Sequence, residues 1–266
     1  MDFEPTVECA VVIPVYNEEA IVERNLKALA AHFDRIVGPG KWRAAVVDNN
    51  SADATASIID QVGTEIPAIQ RLHQPVPDFG KAVALGLENA ATSWSFVLSI
   101  DEWDVPFLCW AWARRNDFDL FVGTKRADPT INDQAPYRRV LSWGLNALLQ
   151  LLLDFTGTDT HGPKLLNMRA MAPVLADCVM SRGQFDTEFV LKAQRRGLRV
   201  VELPVAYAEQ RPPRNLMIRK IARNVRDLFR LYGTVKAYPY AGSLRLYRFP
   251  RDEVVAEAER LSDKAE

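Results

Sequence analysis

Ala10-Val11-Val12-Ile13-Pro14 is a continuously apolar run that breaks into Val15-Tyr16-Asn17-Glu18-Glu19. A short apolar stretch without alternation is what a strand needs when both of its faces are buried, the situation of a parallel sheet covered by helices. Glu18 to Phe33 then places Ile21, Val22, Leu26, Leu29, Ala30 and Phe33 at helical spacing. The same succession continues outward. Arg43 to Val47 reads as a second strand closing at Asp48, Ala52 to Val62 as a helix, Ile69 to Leu72 as a strand and Gly80 to Ala90 as a helix. Ser95 to Ile100 and Leu120 to Gly123 add two more apolar strands. Strands and helices taking turns predict βαβ units, hence an α/β fold with a mainly parallel sheet flanked by helices. In such sheets ligands bind beyond the carboxyl ends of the strands.

The second half changes character. Tyr137 to Phe155 reads as a long helix with a Leu-rich end, and Gly157 to Pro163 as a polar loop. Phe185 to Arg196 reads as a helix stopped by Gly197, and Arg199 to Leu203 as a strand ended by Pro204. From Arg211 to Arg230 seven basic residues face one acid, Asp227. Arg219, Arg223, Arg226 and Arg230 repeat at helical spacing, so this stretch suits either an anionic membrane surface or a solvated face. Residues 1–240 are expected to form one domain, about 1–125 as its first half and 126–240 as its second, with 241–266 a charged tail.

Composition excludes several classes. With 48% hydrophobic and 25% charged residues, the chain is neither disordered nor collagen-like. A formal net charge of −1 gives no global attraction to nucleic acid. Cys9, Cys109 and Cys178 are odd in number and scattered, which fits a reducing compartment and no metal framework. The opening MDFEPTVE is acidic where a signal peptide is basic, and no spanning apolar run occurs, so the expected location is cytoplasmic, with peripheral membrane contact through the basic stretch.

Polar clusters follow three of the strands: Tyr16-Asn17-Glu18-Glu19, Asp48-Asn49-Asn50-Ser51-Ala52-Asp53 and Asp101-Glu102-Trp103-Asp104. Singly, each reads as helix capping, for which Asn17, Ser51 and Asp53 are suited. Three such clusters at one sheet edge instead describe a cleft able to hold a base, a ribose and a metal-bound diphosphate.

VVIPVYNEE from Val11, VVDNNSADAT from Val46 and the acidic cluster at Asp101 resemble glycosyltransferase family 2 with the GT-A fold, and within it the dolichyl- or polyprenyl-phosphate sugar synthases. GTKR from Gly123, RRVLSWGLNALLQLLL from Arg138, TDTHGPKLL from Thr158 and FDTEFVLKAQRRGLRVVELPV from Phe185 resemble that group in order and spacing. The resemblance implies inverting transfer of a sugar from a UDP- or GDP-sugar. Pro14, Tyr16, Asn17, Glu18, Asp48 and Lys81 would bind the donor. Asp101 would be the first acid of an Asp-x-Asp element holding Mg²⁺ or Mn²⁺ against the diphosphate, a hard cation neutralising the charge of the leaving group.

The chain departs from the family pattern at Asn49, where a second aspartate is usual, and at Trp103, which leaves the second metal-binding acid to Asp104 or Glu102. His161 would ligate the metal or touch the diphosphate, and Lys164 the latter. Arg126, Arg138, Ser142 and Arg211 stand where the lipid-phosphate synthases bind the acceptor phosphate. A phosphate acceptor needs no general base; a hydroxyl acceptor would need one, and Asp186 or Glu188 would serve. The departures also keep open a non-catalytic protein that binds nucleotide sugars.

Overall fold

A computed structural model describes residues 7–101, 103–125, 150–206, 227, 229–241 and 245–262. The strands are β1 (Cys9–Val15), β2 (Trp42–Asp48), β3 (Ile69–His73), β4 (Trp94–Val97), β5 (Leu120–Thr124), β6 (Lys164–Asn167), β7 (Arg199–Pro204) and β8 (Arg245–Arg248). The helices are α1 (Val22–Ile36), α2 (Thr55–Glu65), α3 (Phe79–Ala90), α4 (Val105–Ala113), α5 (Met168–Asp177), α6 (Gln184–Arg195) and α7 (Arg251–Ser262).

The eight strands found among the described residues join one sheet in the order β3-β2-β1-β4-β6-β5-β7-β8. Pairing is parallel except at β6, which runs antiparallel to both β4 and β5. The consequence for the site is direct: the amino end of β6, at Lys164, lies at the same edge as the carboxyl ends of β1, β2 and β4.

Successive strand residues supply two different cores, as period-two geometry requires. Val11, Ile13 and Val15 of β1 pack with Phe33, Phe96 and Trp110 on one face. Val12 packs with Val83, Leu87 and Phe189 on the other. Gly86 brings α3 close to the sheet, since a Cβ there would run into the Val12 side chain.

The strands and helices expected through residue 124 recur within a few residues, but four second-half or connecting elements were not foreseen. Helix α4, VPFLCWAWA, is buried nearly all round and so carries no amphipathic stripe. β6 is only four residues long, and α5 contains Pro173. The segment expected as a charged tail is built into the domain: β8 extends the sheet by pairing parallel with β7, and α7 packs on α4. Most of the expected Tyr137–Phe155 helix and of the Arg211–Arg230 stretch falls outside the described residues. Among the described residues, no helix is long and apolar enough to cross a membrane.

Candidate active site

The loops that follow β1 and β2 are laced together. Asn17 donates its amide to Ser51 Oγ (3.0 Å) and accepts the Ala52 amide on Oδ1 (2.8 Å). The Glu18 amide reaches Thr55 Oγ1 (2.8 Å), and Glu19 and Asp53 exchange contacts across the same gap through the Glu19 and Ala54 amides. Asn17 and Asn50 adopt left-handed backbone angles, φ 55 and 63, which asparagine tolerates better than most residues. Capping is thus part of these motifs' work, since Asp53 also accepts the Thr55 amide near the start of α2.

A hollow of about 280 Å³ opens beside this lacing. Pro14, Tyr16 and Glu18 line it from β1 and its loop, Asn49 from the end of β2, and Asp78, Phe79, Ser99 and Arg182 from across the cleft. Asn17 orients the wall rather than lining it. Asp48 lies just behind: its buried carboxylate accepts the Ser51 amide (3.0 Å) and stands 3.4 Å from His73 Nδ1. The neighbouring Asn49 faces the hollow instead and accepts the Asp78 amide at 2.8 Å. Lys81 gives its amide to the Asp78 cap of α3, and its residue is exposed.

Phe79 and Ser99 also line a second hollow of about 300 Å³. His161, Lys164, Gly183 and Asp186 form its polar side. The Lys164 ammonium is buried, 3.1 Å from Asp186 Oδ1, and donates to the Gly162 carbonyl at 2.9 Å. His161 Nε2 stands 2.9 Å from the Gly183 carbonyl and Nδ1 3.1 Å from Thr160 Oγ1. Desolvation alone would lower the His161 pKa, but the Asp159 carboxylate, 3.8 Å from Nδ1, and the charge of Asp186 outweigh it and hold it above its ordinary value.

Two sequence assignments are corrected. Asp104 is not positioned as a metal ligand: its carboxylate caps α4 through the Phe107 amide (2.8 Å), accepts the Ala206 amide (2.9 Å) and pairs with Arg251 (2.9 Å). Glu188 is not placed as a base: it is fully buried, accepts the Val179 and Met180 amides at 2.9 and 2.7 Å and pairs with Lys192 at 2.8 Å. Trp103, in the place of the family's second aspartate, packs on the core with its ring 5.2 Å from His32.

Among the described residues, no three His, Cys, Asp or Glu side chains are grouped to cage a metal. Asp101 itself is buried two residues beyond Ser99, and Asn25 Nδ2 holds the backbone just ahead of it by donating to the Ile100 carbonyl (2.9 Å). Arg126, Arg138, Ser142, Arg211 and Glu102 lie outside the described residues.

Residues 10–173 match the family model "Glycosyl transferase family 2". The chain belongs to glycosyltransferase family 2. Membership sets its enzyme class, and the sheet is the GT-A arrangement that the motifs imply. It is 25% identical over 205 residues to glycosyltransferase AglD of Haloferax volcanii, covering 75% of this chain but only 33% of AglD. A dolichyl-phosphate beta-glucosyltransferase of Trichomonas vaginalis is 26% identical over 220 residues, covering 78% of this chain and 68% of that protein.

Among solved structures of the same fold, glucosyl-3-phosphoglycerate synthase of Mycobacterium tuberculosis, bound to Mn²⁺, UDP and phosphoglyceric acid, superposes with a TM-score of 0.61 at 16% identity, covering 88% of this chain and 80% of that one. A mannosyltransferase of Pyrobaculum calidifontis, in complex with GDP-Man and Mn²⁺, gives 0.56 at 15% identity, covering 97% and 74%.

Motif reading missed Asp78, Phe79, Ser99 and Arg182. Asp78 had a local signal, an N-cap residue ahead of Phe79-Gly80-Lys81, whereas Arg182 had none.

Proposed function

We propose that this family 2 enzyme transfers a hexosyl group, with inversion, from a nucleotide sugar to a polyprenyl or dolichyl phosphate. The observation that carries the reading is the pair of hollows meeting at Phe79 and Ser99 along the strand ends. The first suits the nucleotide: the Tyr16 ring, 40% exposed, offers a face for a base. The second would take the sugar and the incoming acceptor, between His161 and the Lys164–Asp186 pair. UDP and GDP-Man in the fold relatives, and dolichyl phosphate in the name of the Trichomonas protein, support these substrate classes.

Asp101 would hold Mg²⁺ or Mn²⁺. A single buried carboxylate fits such a cation, which takes one or two protein oxygens and fills its shell with phosphate oxygens and water. Bound there, the cation supplies charge neutralisation at the leaving diphosphate. The protein's own part is positioning and electrostatics: the laced loops hold the nucleotide, and the buried Lys164 ammonium faces developing negative charge. A phosphate acceptor attacks as an anion, with Arg126, Arg138, Ser142 and Arg211 as its proposed anchors.

Contact with a membrane face draws support from Leu151 and Phe229, 79% and 74% exposed. Phe229 falls within the basic stretch, and the Asp154–Lys236 ion pair (2.8 Å) joins the segment that follows it to the one that carries Leu151.

A hydroxyl acceptor is the second reading, favoured by one observation: Asp186 lines the second hollow, where a general base would be needed. Mass analysis of products from UDP- and GDP-hexoses with Mn²⁺, offered dolichyl phosphate or phosphoglyceric acid, tests both. Hexosyl lipid phosphate is expected; product on the hydroxyl acceptor alone selects the second reading, and no turnover of any donor overturns both.

A further inference from the structure

Arg182, just ahead of α6, holds a left-handed backbone angle, φ 57. That conformation costs a residue other than glycine about 1–2 kcal/mol. The surroundings keep it there. Its amide donates to Asp78 Oδ1 at 2.8 Å, and Asp78 is itself buried and fixed through its own amide on Asn49 Oδ1 at 2.8 Å. Gly80 permits the approach, since a Cβ at that position would stand 3.2 Å from the Arg182 nitrogen and 2.6 Å from Phe185 Cβ. Strain kept by over-determined neighbours is characteristic of ligand clamps.

The exposed Arg182 side chain lines the first hollow opposite Tyr16. Among that hollow's described lining residues it is the only cation, alongside the acids Glu18 and Asp78. Among the described residues its guanidinium pairs with no carboxylate. We propose that Arg182 binds the diphosphate of the donor. The inference rests on reading this hollow as the donor site. A planar guanidinium engages phosphate oxygens in a bidentate manner, and it offsets the repulsion that Glu18 and Asp78 exert on an anionic ligand.

Calorimetric titration of the full chain and of R182G and R182K, with Mn²⁺ present, tests this against UDP, GDP, UMP and GMP. Glycine accepts φ 57 without strain, so R182G is expected to melt at or above the wild-type temperature. Its affinity for UDP or GDP, whichever the wild type binds, is expected to fall roughly 10- to 100-fold. The matching monophosphate should lose less, and R182K should recover part of the loss. Unchanged diphosphate affinity in R182G overturns the inference, as does an equal loss for monophosphate and diphosphate or a lowered melting temperature. A wild-type chain that binds none of the four nucleotides instead overturns the donor-site reading itself.

Discussion

Asp104 lies three residues beyond Asp101, yet its carboxylate is consumed by an α4 cap, the Ala206 amide and Arg251. Asp104→Ala strands the mostly buried Arg251 guanidinium and is expected to cost about 3–5 kcal/mol in urea unfolding. Where the variant still folds, Mn²⁺ affinity in the presence of nucleoside diphosphate should stay near wild type. Asp101→Ala should reverse that pattern, abolishing turnover with a much smaller loss of stability. A stable Asp104 variant without metal affinity would return Asp104 to the metal site.

Half of this role was legible. Asp-Val-Pro is an N-cap followed by a proline in the first turn, but Arg251 lies 147 residues away and no local pattern announces it. The choice between Asp186 and Glu188 was equally closed to sequence. Both are in the first turns of α6, and only the fold turns one toward Lys164 in the hollow and the other toward the Val179 and Met180 amides.

The elements of the first half announced themselves because buried parallel strands and amphipathic helices have different periods. α1 keeps a clear buried stripe of Val22, Leu26, Leu29 and Phe33. α4 has none, because it is covered by α1 on one side and α7 on another. β6 and β8 are short, and their pairing is set by partners remote in sequence.

Two predictions belong to this scale. Gly86→Val drives a side chain of α3 into Val12 and Val47 and is expected to destabilise by about 1–3 kcal/mol through overpacking, read from the urea midpoint at unchanged m-value. Ending the chain at residue 240 removes β8, α7 and the Arg251 partner of Asp104. Its melting temperature should fall well below wild type, and equal melting would show that 245–262 contributes nothing to the fold.

Across the whole molecule, Asp119 ties the start of β5 to β7 by accepting from the Arg199 amide (2.9 Å) and side chain (3.0 and 3.2 Å). Burial would raise its pKa, but the bonds and charge of Arg199 outweigh this and hold it below the ordinary 3.8. A lowered carboxylate stabilises the fold above its unfolded pKa and loses that contribution as pH falls through the folded value. Asp119→Asn should therefore be less stable than wild type at pH 7, with the gap closing below about pH 4. A constant gap across that range would refute the pairing.

The edge on which the hollows open was legible from strand–helix alternation, but from the second cluster it is Asn49, and not the Asp48 expected to meet the donor, that lines the first hollow with Tyr16. The second hollow was only partly legible, because an antiparallel β6 is what delivers Lys164 to that edge.

Hydrogen–deuterium exchange with and without nucleoside diphosphate and Mn²⁺ reads this placement directly. Slowed exchange is expected at residues 14–19, 49–55, 78–83 and 182–183, with the β8 strand unchanged. Saturating nucleotide that leaves those amides unprotected, or protects the opposite ends of the strands, would contradict it.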